Sequence, residues 1–568
     1  MMLNPTIQAF RSMISEPMGP PPSIPTYART GLDLRNFMID NDPNYPIYHL
    51  TAPEGWMNDP NGVTYDPVDK LYHRFYQYNP NYSEDCMFPR DNFNNGTWAN
   101  CTPFDFDEND NINPRKWGQA VSRDLAFWED WPALQADSPY DKESVFSGNC
   151  LYDVDGVNNV TCIYTGVQNA TPGSLSVGVC ATSNDWVAWD KSPCMTSPPS
   201  EKSQVNHDSA IYKWGGKWYM LSGGCTYSGG SNIDDGGPCF GNGQLWVGSD
   251  DLKTWKYLKP LTKSDVTESY WELPYLIPYD KHNNTLRNDQ LDEADRVILL
   301  VGESSLNIYY SGTFDTSSST FLPDGGEFTK MNADTGCSYS YNVHMTDLDD
   351  NGASRRVSYA WIMDAVTYYT PAALAGDVPI WESAHTLARV LNIGEGGRLI
   401  QTVEQNSVEK LWVGESVVVK SVVISETGEG FLPDLKGDSL DMILVWGADV
   451  AELGVTYGLA MRKGDEWQCN VSWNTTSRAV CIQGSAETDR RTCANFESGV
   501  AKTDDVRIFL DRSIVEVYYD GDVLTGRCNL PGGIDNEDSL GVDLFSVNGT
   551  ATMTKLTAHA VGSSYRLI

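Results

Sequence analysis

Three carboxylates of this chain stand inside frames of large apolar side chains. Asp59 follows Trp56 and Met57 in WMNDPNG, Asp208 heads the run HDSAIYKWGGKWYM, and Glu272 sits in SYWELPYLIPY between Trp271 and Leu273. Burial among apolar groups disfavours the charged form of a carboxyl and raises its pKa, which suits a proton donor to a glycosidic oxygen. Two such groups can divide the work of glycoside cleavage, one protonating the leaving oxygen while the other attacks the carbon. Taken singly, each also reads as a strand-end carboxylate bonded to a backbone amide. Acting together, they need a scaffold that brings distant segments to one point.

Other chemistry is poorly supplied. There is no GxSxG, no HExxH and no phosphate-cradling glycine loop in a supporting context, and the thirteen cysteines form no CxxC pattern. The seven histidines sit in no nucleophile–base frame. DFDENDNINP at 105–114 lacks the glycine and the bidentate glutamate of a calcium loop and is expected to be a solvated loop. No metal and no organic cofactor is therefore expected. A formal net charge of −36 repels phosphate backbones and anionic lipid, so neither nucleic acid nor a membrane is an expected partner. No run reaches 18 apolar residues, so no transmembrane helix is expected. A neutral small molecule suits this surface, and aromatic residues, 11% of the chain, suit sugar rings. A homodimer is the one protein partner considered. Nine Asn-x-Ser/Thr sequons together with the cysteines point to a secreted or vacuolar protein. The odd cysteine count leaves one thiol over, expected at Cys337.

The elements that must carry these residues read as strands. LYHRFYQY, NVTCIYTG, DRVILLVGES and RRVSYAWIMDA are rich in Tyr, Val, Ile and Trp, are bounded by turn-formers, and leave little room for amphipathic helices. Within WMNDPNG, Asn58 to Gly62 reads as a tight turn. A repeat runs through the first half: SRDLAFW at 122–128, SNDWVAW at 183–189 and SDDLKTW at 249–255 start 61 and 66 residues apart. That period fits a four-stranded propeller blade, and residues 45–400 have room for about five of them. Beyond about 410, alternating segments joined by Lys463-Gly464 and Asp520-Gly521 have the pattern of an antiparallel β-sandwich. The expected division is a proline-rich leader at 1–40, a propeller at 41–400, a linker at 401–412 and a sandwich at 413–568.

WMNDPNG resembles the signature of glycoside hydrolase family 32, the invertases, inulinases and fructosyltransferases. The blocks that follow resemble that family's in order: YHRFYQYNP (72–80), WGQAVSRDLAFW (117–128), FSG (146–148), HDSAIYKWGGKWYM (207–220), WELP (271–274), DTG (334–336), RRVSYAWIMD (355–364) and DRSIVEVYYDGD (511–522). The resemblance covers residues 45–560 or so and implies an all-β protein, a five-bladed β-propeller followed by a C-terminal antiparallel β-sandwich. It implies a retaining β-fructosidase acting on sucrose, with fructo-oligosaccharides as longer substrates. Asp59 would be the nucleophile, Glu272 the acid/base and Asp208 the transition-state stabiliser. Asn58, Gln77, Trp117, Phe146 and Ser147 match positions lining the fructose pocket.

Two positions depart from the family pattern. His207 replaces an arginine that helps bind sugar hydroxyls, and Leu273 replaces a cysteine beside the acid. Fructosyl transfer, inulin or levan hydrolysis, and silent fructan binding stay open as alternatives. Trp56 leans towards hydrolysis, because several transferases of the family carry Tyr or Phe there. Residues 81–116 form a long insert, expected to overhang the pocket mouth, with Cys86 and Cys101 placed to close a disulfide across it and sequons at Asn81, Asn95 and Asn100 facing solvent.

Overall fold

Tyr-, Val-, Ile- and Trp-rich runs form strands because their side chains fill both faces of a pleated surface. In the computed structural model, residues 24–80, 105–106, 112–152, 160–168, 176–195, 203–227, 239–262, 270–344, 355–363, 381–426, 428, 430–447, 454–484, 491–495, 505–531 and 536–566 are described. The chain is all-β in character. The first sheet takes Gly55–Asp66, Leu71–Asn79, Lys116–Ser122 and Glu129–Leu134 in sequence order. The short strand Trp381–Glu382 pairs in parallel outside Gly55–Asp66, so a late segment closes onto the earliest strand. Ser144–Tyr152, Val160–Val167, Ser176–Ser183 and Asp190–Pro193 form a second sequential sheet. A ten-stranded sheet holds two further runs, starting at Ser203–Trp214 and at Trp271–Tyr279, which are joined through the single pair Gly224↔Trp271. Ser338–Val343, Val357–Ile362, Arg389–Ile393 and Leu399–Val403 make the next sheet.

The Ser-x-Asp repeat has one structural meaning. All three copies are the turn into the outermost strand of their runs, before Glu129, Asp190 and Trp255. Leu125, Trp186 and Leu252 each take a left-handed backbone conformation, with φ of 61°, 61° and 57°. In the first two copies the aspartate, Asp124 or Asp185, caps two backbone amides; Asp251 caps that of Lys253. A side-chain acceptor at this position satisfies amides that the turn leaves unpaired.

Beyond residue 410 two antiparallel sheets enclose a separate apolar core that includes Leu459, Trp473, Ile508 and Leu556. Among the described residues five disulfides, Cys150–Cys162, Cys180–Cys194, Cys225–Cys239, Cys469–Cys528 and Cys481–Cys493, staple neighbouring segments. Cys337 takes part in none of them. The Cys86–Cys101 pairing and most of the insert lie outside the described residues.

Three expectations are revised. Starting within the leader expected at 1–40, residues 24–41 form the helix Ile24–Asn41. Leu34 and Met38, one turn apart, are buried, and Arg35 makes a bidentate pair with Asp130 at 2.8 and 2.7 Å. Arg35 also donates to the Thr51 carbonyl and lies over the Tyr565 ring, and Leu32, Phe37 and Ile39 pack against the same core, so the helix is docked by contacts to distant segments that the sequence does not display. The supposed linker instead completes the sheet with Leu399–Val403 and adds the short helix Gln405–Glu409. Asn58 to Gly62 is no hairpin turn: it lies within the strand Gly55–Asp66, whose register with its neighbour breaks twice, between Met57 and Pro60 and between Asn61 and Thr64.

The two parts meet across a buried ionic network. Arg389 donates to Glu516 at 2.6 Å and to Asp334 at 3.0 Å, with all three side chains fully buried. His49 places its two ring nitrogens 2.9 Å from Asp511 and 2.9 Å from Glu516, which raises its pKa against the cost of burial. Asp511 also accepts the backbone amides of Ile47, Tyr48 and His49. Burial alone would raise the carboxyl of Glu516, yet Arg389 and His49 pull it down to about 2. Removing one member of such a network strands the others. Glu516→Gln should therefore destabilise the protein by about 3–5 kcal/mol. Glu415→Gln, at an exposed position, should stay within about 0.5 kcal/mol. Thermal melts of the two variants check this; equal midpoints would show that the network adds nothing.

Candidate active site

A regular strand cannot aim neighbouring side chains the same way. The five strands that open the four-stranded runs all break register near one end: between Met57 and Pro60, Val145 and Gly148, Val205 and Ser209, Glu272 and Tyr275, and Tyr339 and Asn342. Inside or at the lip of those breaks stand Asn58 and Asp59, Phe146 and Ser147, His207 and Asp208, Glu272, and Ser340. Bulges of this kind re-aim side chains beside functional sites. The strands are stitched sideways where their ladders lapse. Gly148 donates its amide to Asn61 Oδ1 at 3.0 Å, Val63 donates to Asn342 Oδ1 at 3.3 Å, and Asn149 Nδ2 donates to Tyr275 Oη at 3.0 Å.

The three predicted carboxylates come together. Burial, and then the charge of Glu272, push the carboxyl of Asp59 up to about 6, against donors that favour its ionised form. Ser147 Oγ donates to Asp59 Oδ2 at 2.5 Å, Gln77 Nε2 lies 3.4 Å from the same oxygen, Ser340 adds a side-chain hydrogen bond, and the Arg115 charge acts in the same direction. Asp208 is pushed well above the usual carboxylate range by burial, then by the charges of Glu272 and Asp59, and is opposed only by the backbone amide of Leu273. That amide is aimed by a strained residue, since Leu273 has φ of 45°. Glu272 accepts a short hydrogen bond at Oε2 from the Tyr339 hydroxyl. One carboxylate ringed by donors and another served by a phenol is an arrangement able to separate a nucleophile from an acid/base.

The predicted pocket residues divide. Gln77 and Ser147 are buried and bonded to each other at 2.5 Å as well as to Asp59. The carbonyl of Asn58 accepts from His385 Nε2 at 2.7 Å, while its own Oδ1 bonds to no described residue. Phe146 is half-buried, with the Arg115 guanidinium 5.3 Å from its ring. Trp117 is fully buried, and its indole nitrogen donates to the Phe146 carbonyl at 3.0 Å, so it supports the wall from behind. His207 lies on the strand Ser203–Trp214, but its side chain is outside the described residues. Sequence reasoning missed Tyr339, Ser340, Arg115 and His385. Arg115 stands two residues before a recognised block, stacks 4.6 Å from Trp56 and reaches Gln77 Oε1 at 3.4 Å. Tyr339 and Ser340 follow the DTG block within CSYSYNV, where alternation was the one signal available. Among the described residues no cluster of His, Cys, Asp and Glu suits a metal ion.

Comparisons with known proteins follow the same division of the chain. The sequence model for the glycosyl hydrolases family 32 N-terminal domain matches residues 49–88 and 104–403, and that for the family 32 C-terminal domain matches residues 407–560. The gap from 89 to 103 falls inside the insert. Levanase from Bacillus subtilis is 25% identical over 91% of this chain and 70% of its own length. A sucrose-6-phosphate hydrolase from Zymomonas mobilis is 25% identical over 89% of this chain and 90% of its own. Among solved structures, fructan 1-exohydrolase IIa from Cichorium intybus superposes with a TM-score of 0.68 at 21% identity, covering 92% of this chain and 98% of that one. A Bombyx mori β-fructofuranosidase variant in complex with sucrose gives a TM-score of 0.65 at 19% identity, covering 95% and 99%.

The donors around Asp59 make a direct prediction. In protein carrying 13C-labelled aspartate carboxyls, one resonance, lost in Asp59→Asn, should titrate near pH 6. Ser147→Ala removes a donor to the ionised form and should move that titration to higher pH. A resonance that does not move would show that the Ser147 contact has no electrostatic weight.

Proposed function

The chain belongs to glycosyl hydrolase family 32, and on that premise we propose that it is a retaining β-fructosidase that releases the terminal β-D-fructofuranosyl residue of sucrose. The observation carrying this reading is the set of carboxylates at the broken ends of the innermost strands, with Asp59 surrounded by donors and Glu272 held by Tyr339. Asp59 attacks the anomeric carbon while Glu272 protonates the departing oxygen. Glu272 then acts as base, water is deprotonated, and the fructosyl ester at Asp59 is hydrolysed with net retention. Asp208, Asn58, Gln77, Ser147 and His207 hold the fructosyl hydroxyls, Phe146 forms an apolar wall, and Trp117 backs it. No cofactor takes part in these steps.

Five four-stranded runs, each opening on a strand with a register break, support a five-bladed propeller that begins near residue 41 and ends with the strand Leu399–Val403, followed through the short helix Gln405–Glu409 by a sandwich at 413–568. Five disulfides and the acidic surface support a secreted or vacuolar protein, with a sugar as its partner rather than nucleic acid or membrane. The names of the relatives favour a second reading on the same scaffold. One acts on levan and another is a fructan exohydrolase, so longer fructans are the rival substrate.

Incubation with sucrose tests the reading. Equal glucose and fructose support hydrolysis, an excess of glucose points to fructosyl transfer, and no product at all overturns it. Asp59→Asn should cost at least a factor of about 1,000 in kcat, near 4 kcal/mol of barrier, with the melt unchanged. Because Asp59 must be ionised to attack, kcat/KM should fall on the acid side with an apparent pKa of about 6. A wild-type acid limb that is flat down to pH 4 would contradict the assignment of Asp59 as nucleophile.

A further inference from the structure

Arg74 lies on the strand Leu71–Asn79, away from the carboxylates, and only 2% of its surface is exposed. Four other buried arginines find oxygen partners: Arg35 has Asp130, Arg389 has Glu516 and Asp334, Arg356 has backbone carbonyls, and Arg462 has Asn536 and Ser539. Arg74 makes no hydrogen bond or ion pair with any described residue, and its Nε is buried without a partner. Its neighbours are aromatic. The guanidinium carbon is 4.0 Å from the ring centroids of both Trp128 and Tyr359. Ring faces attract a cation but offer no acceptor for its five N–H groups. The groups it feels most strongly are Tyr359, Tyr565, Tyr76 and the like charge of Arg35. Burial brings its pKa down only to about 10, so it is still charged at neutral pH. With no acceptor among the described residues, that charge is left uncompensated.

Arg74 lines a cavity of about 20 Å³. The walls come from several elements: Leu125 and Trp128 of the first repeated turn, Tyr359 of the last N-terminal sheet, Thr386 just after its short strand Ala384–His385, and Val408 of the short helix Gln405–Glu409. None of the lining residues is acidic. That volume is enough for one water-sized or halide-sized ligand. We propose that this cavity is a binding site for a single monovalent anion of halide size, held by the Arg74 guanidinium at the seam where the first sheet, the last sheet and the C-terminal part meet. The overall charge of −36 opposes an anion at long range, but at about 0.15 M salt that repulsion is screened beyond about 8 Å, whereas the guanidinium acts at contact.

The site has a route to the reaction centre. Thr386 in its wall follows His385, whose Nε2 donates to the carbonyl of Asn58 at 2.7 Å, beside Asp59. The Arg74 charge opposes protonation of His385. An anion on Arg74 would balance that charge and brace the segment that fixes the Asn58 carbonyl.

Crystals soaked in sodium bromide, with data collected at the bromine edge, test the site directly. The expected result is an anomalous peak within about 3.5 Å of an Arg74 nitrogen; an ordered water there with no anomalous signal overturns the proposal. In solution, melts are compared in sodium chloride and sodium gluconate at equal ionic strength, gluconate being a far bulkier anion than a halide. Chloride should raise Tm by at least about 2 °C in the wild type and not in Arg74→Leu. The same chloride shift in both proteins, or none in the wild type, overturns it. Should Arg74→Leu fail to fold, Arg74→Lys, which keeps the charge but loses the planar fork, replaces it and should need more chloride for the same shift.

Discussion

An antiparallel ladder sends successive side chains to opposite faces, so a strand that must present two adjacent residues to one site has to give up rungs of its pairing. Asn58 and Asp59 are adjacent, as are Phe146 and Ser147. Each pair sits where its strand loses register with the next, and Asp208 stands in the corresponding break of its own strand. The breaks release backbone donors and acceptors that a buried strand cannot leave unpaired. The sequence supplies replacements from side chains: Asn61 takes the Gly148 amide, Asn342 takes that of Val63, and the Tyr212 hydroxyl accepts from Leu276 at 2.7 Å. The asparagines near the centre thus do the work of a ladder that convergence of the carboxylates has interrupted.

Local strain has to be held from outside. Ser340, bonded to Asp59, has φ of 54°, and Leu273, whose amide meets Asp208, has φ of 45°. Neither side chain favours that conformation. The strand carrying Ser340 is clamped by the C-terminal part. Thr525 accepts the Cys337 amide at 2.9 Å and donates its hydroxyl to Asp334 at 2.6 Å, and Asp334 is paired in turn with Arg389. A side chain at Gly336 would come within 1.9 Å of the Thr525 carbonyl, so the approach admits only glycine. The C-terminal sheets therefore contribute none of the site carboxylates yet fix the strand that presents Tyr339 and Ser340 to them.

Legibility in the sequence follows from how local each feature is. The carboxylates stood out because burial forces apolar neighbours onto the same few residues. The Ser-x-Asp repeat stood out because one turn geometry recurs with the same cap. The strand bulge through Asn58 to Gly62 did not, because Asn, Pro and Gly suit a hairpin turn as well as an irregular strand, and only pairing with Leu71–Asn79 decides between them. Arg115, His385 and Tyr339 act from other strands, 56, 327 and 67 residues from the groups they serve, and no spacing rule joins them. Arg74 was hidden differently. It sits inside a recognised block, where a basic residue reads as a solvated edge, and only the fold shows that aromatic rings have replaced the solvent.

Three carboxylates cannot all ionise in one apolar enclosure, and the donors decide the order. Asp59 has Ser147, Ser340, Gln77 and the Arg115 charge, so it ionises readily at neutral pH. Asp208 has a single amide and two like charges beside it, so it keeps its proton longer. A protonated Asp208 can donate to a sugar hydroxyl while substrate binds. In the proposed reaction the two neighbouring charges exchange: Asp59 is anionic while Glu272 carries the proton, and once Asp59 is esterified Glu272 has given that proton to the departing oxygen. Asp208 therefore faces one neighbouring carboxylate charge in each half of the reaction, and burial with that charge favours its protonated form throughout. The crowding that makes Asp208 a lasting donor to the sugar is thus preserved while the other two carboxylates trade roles.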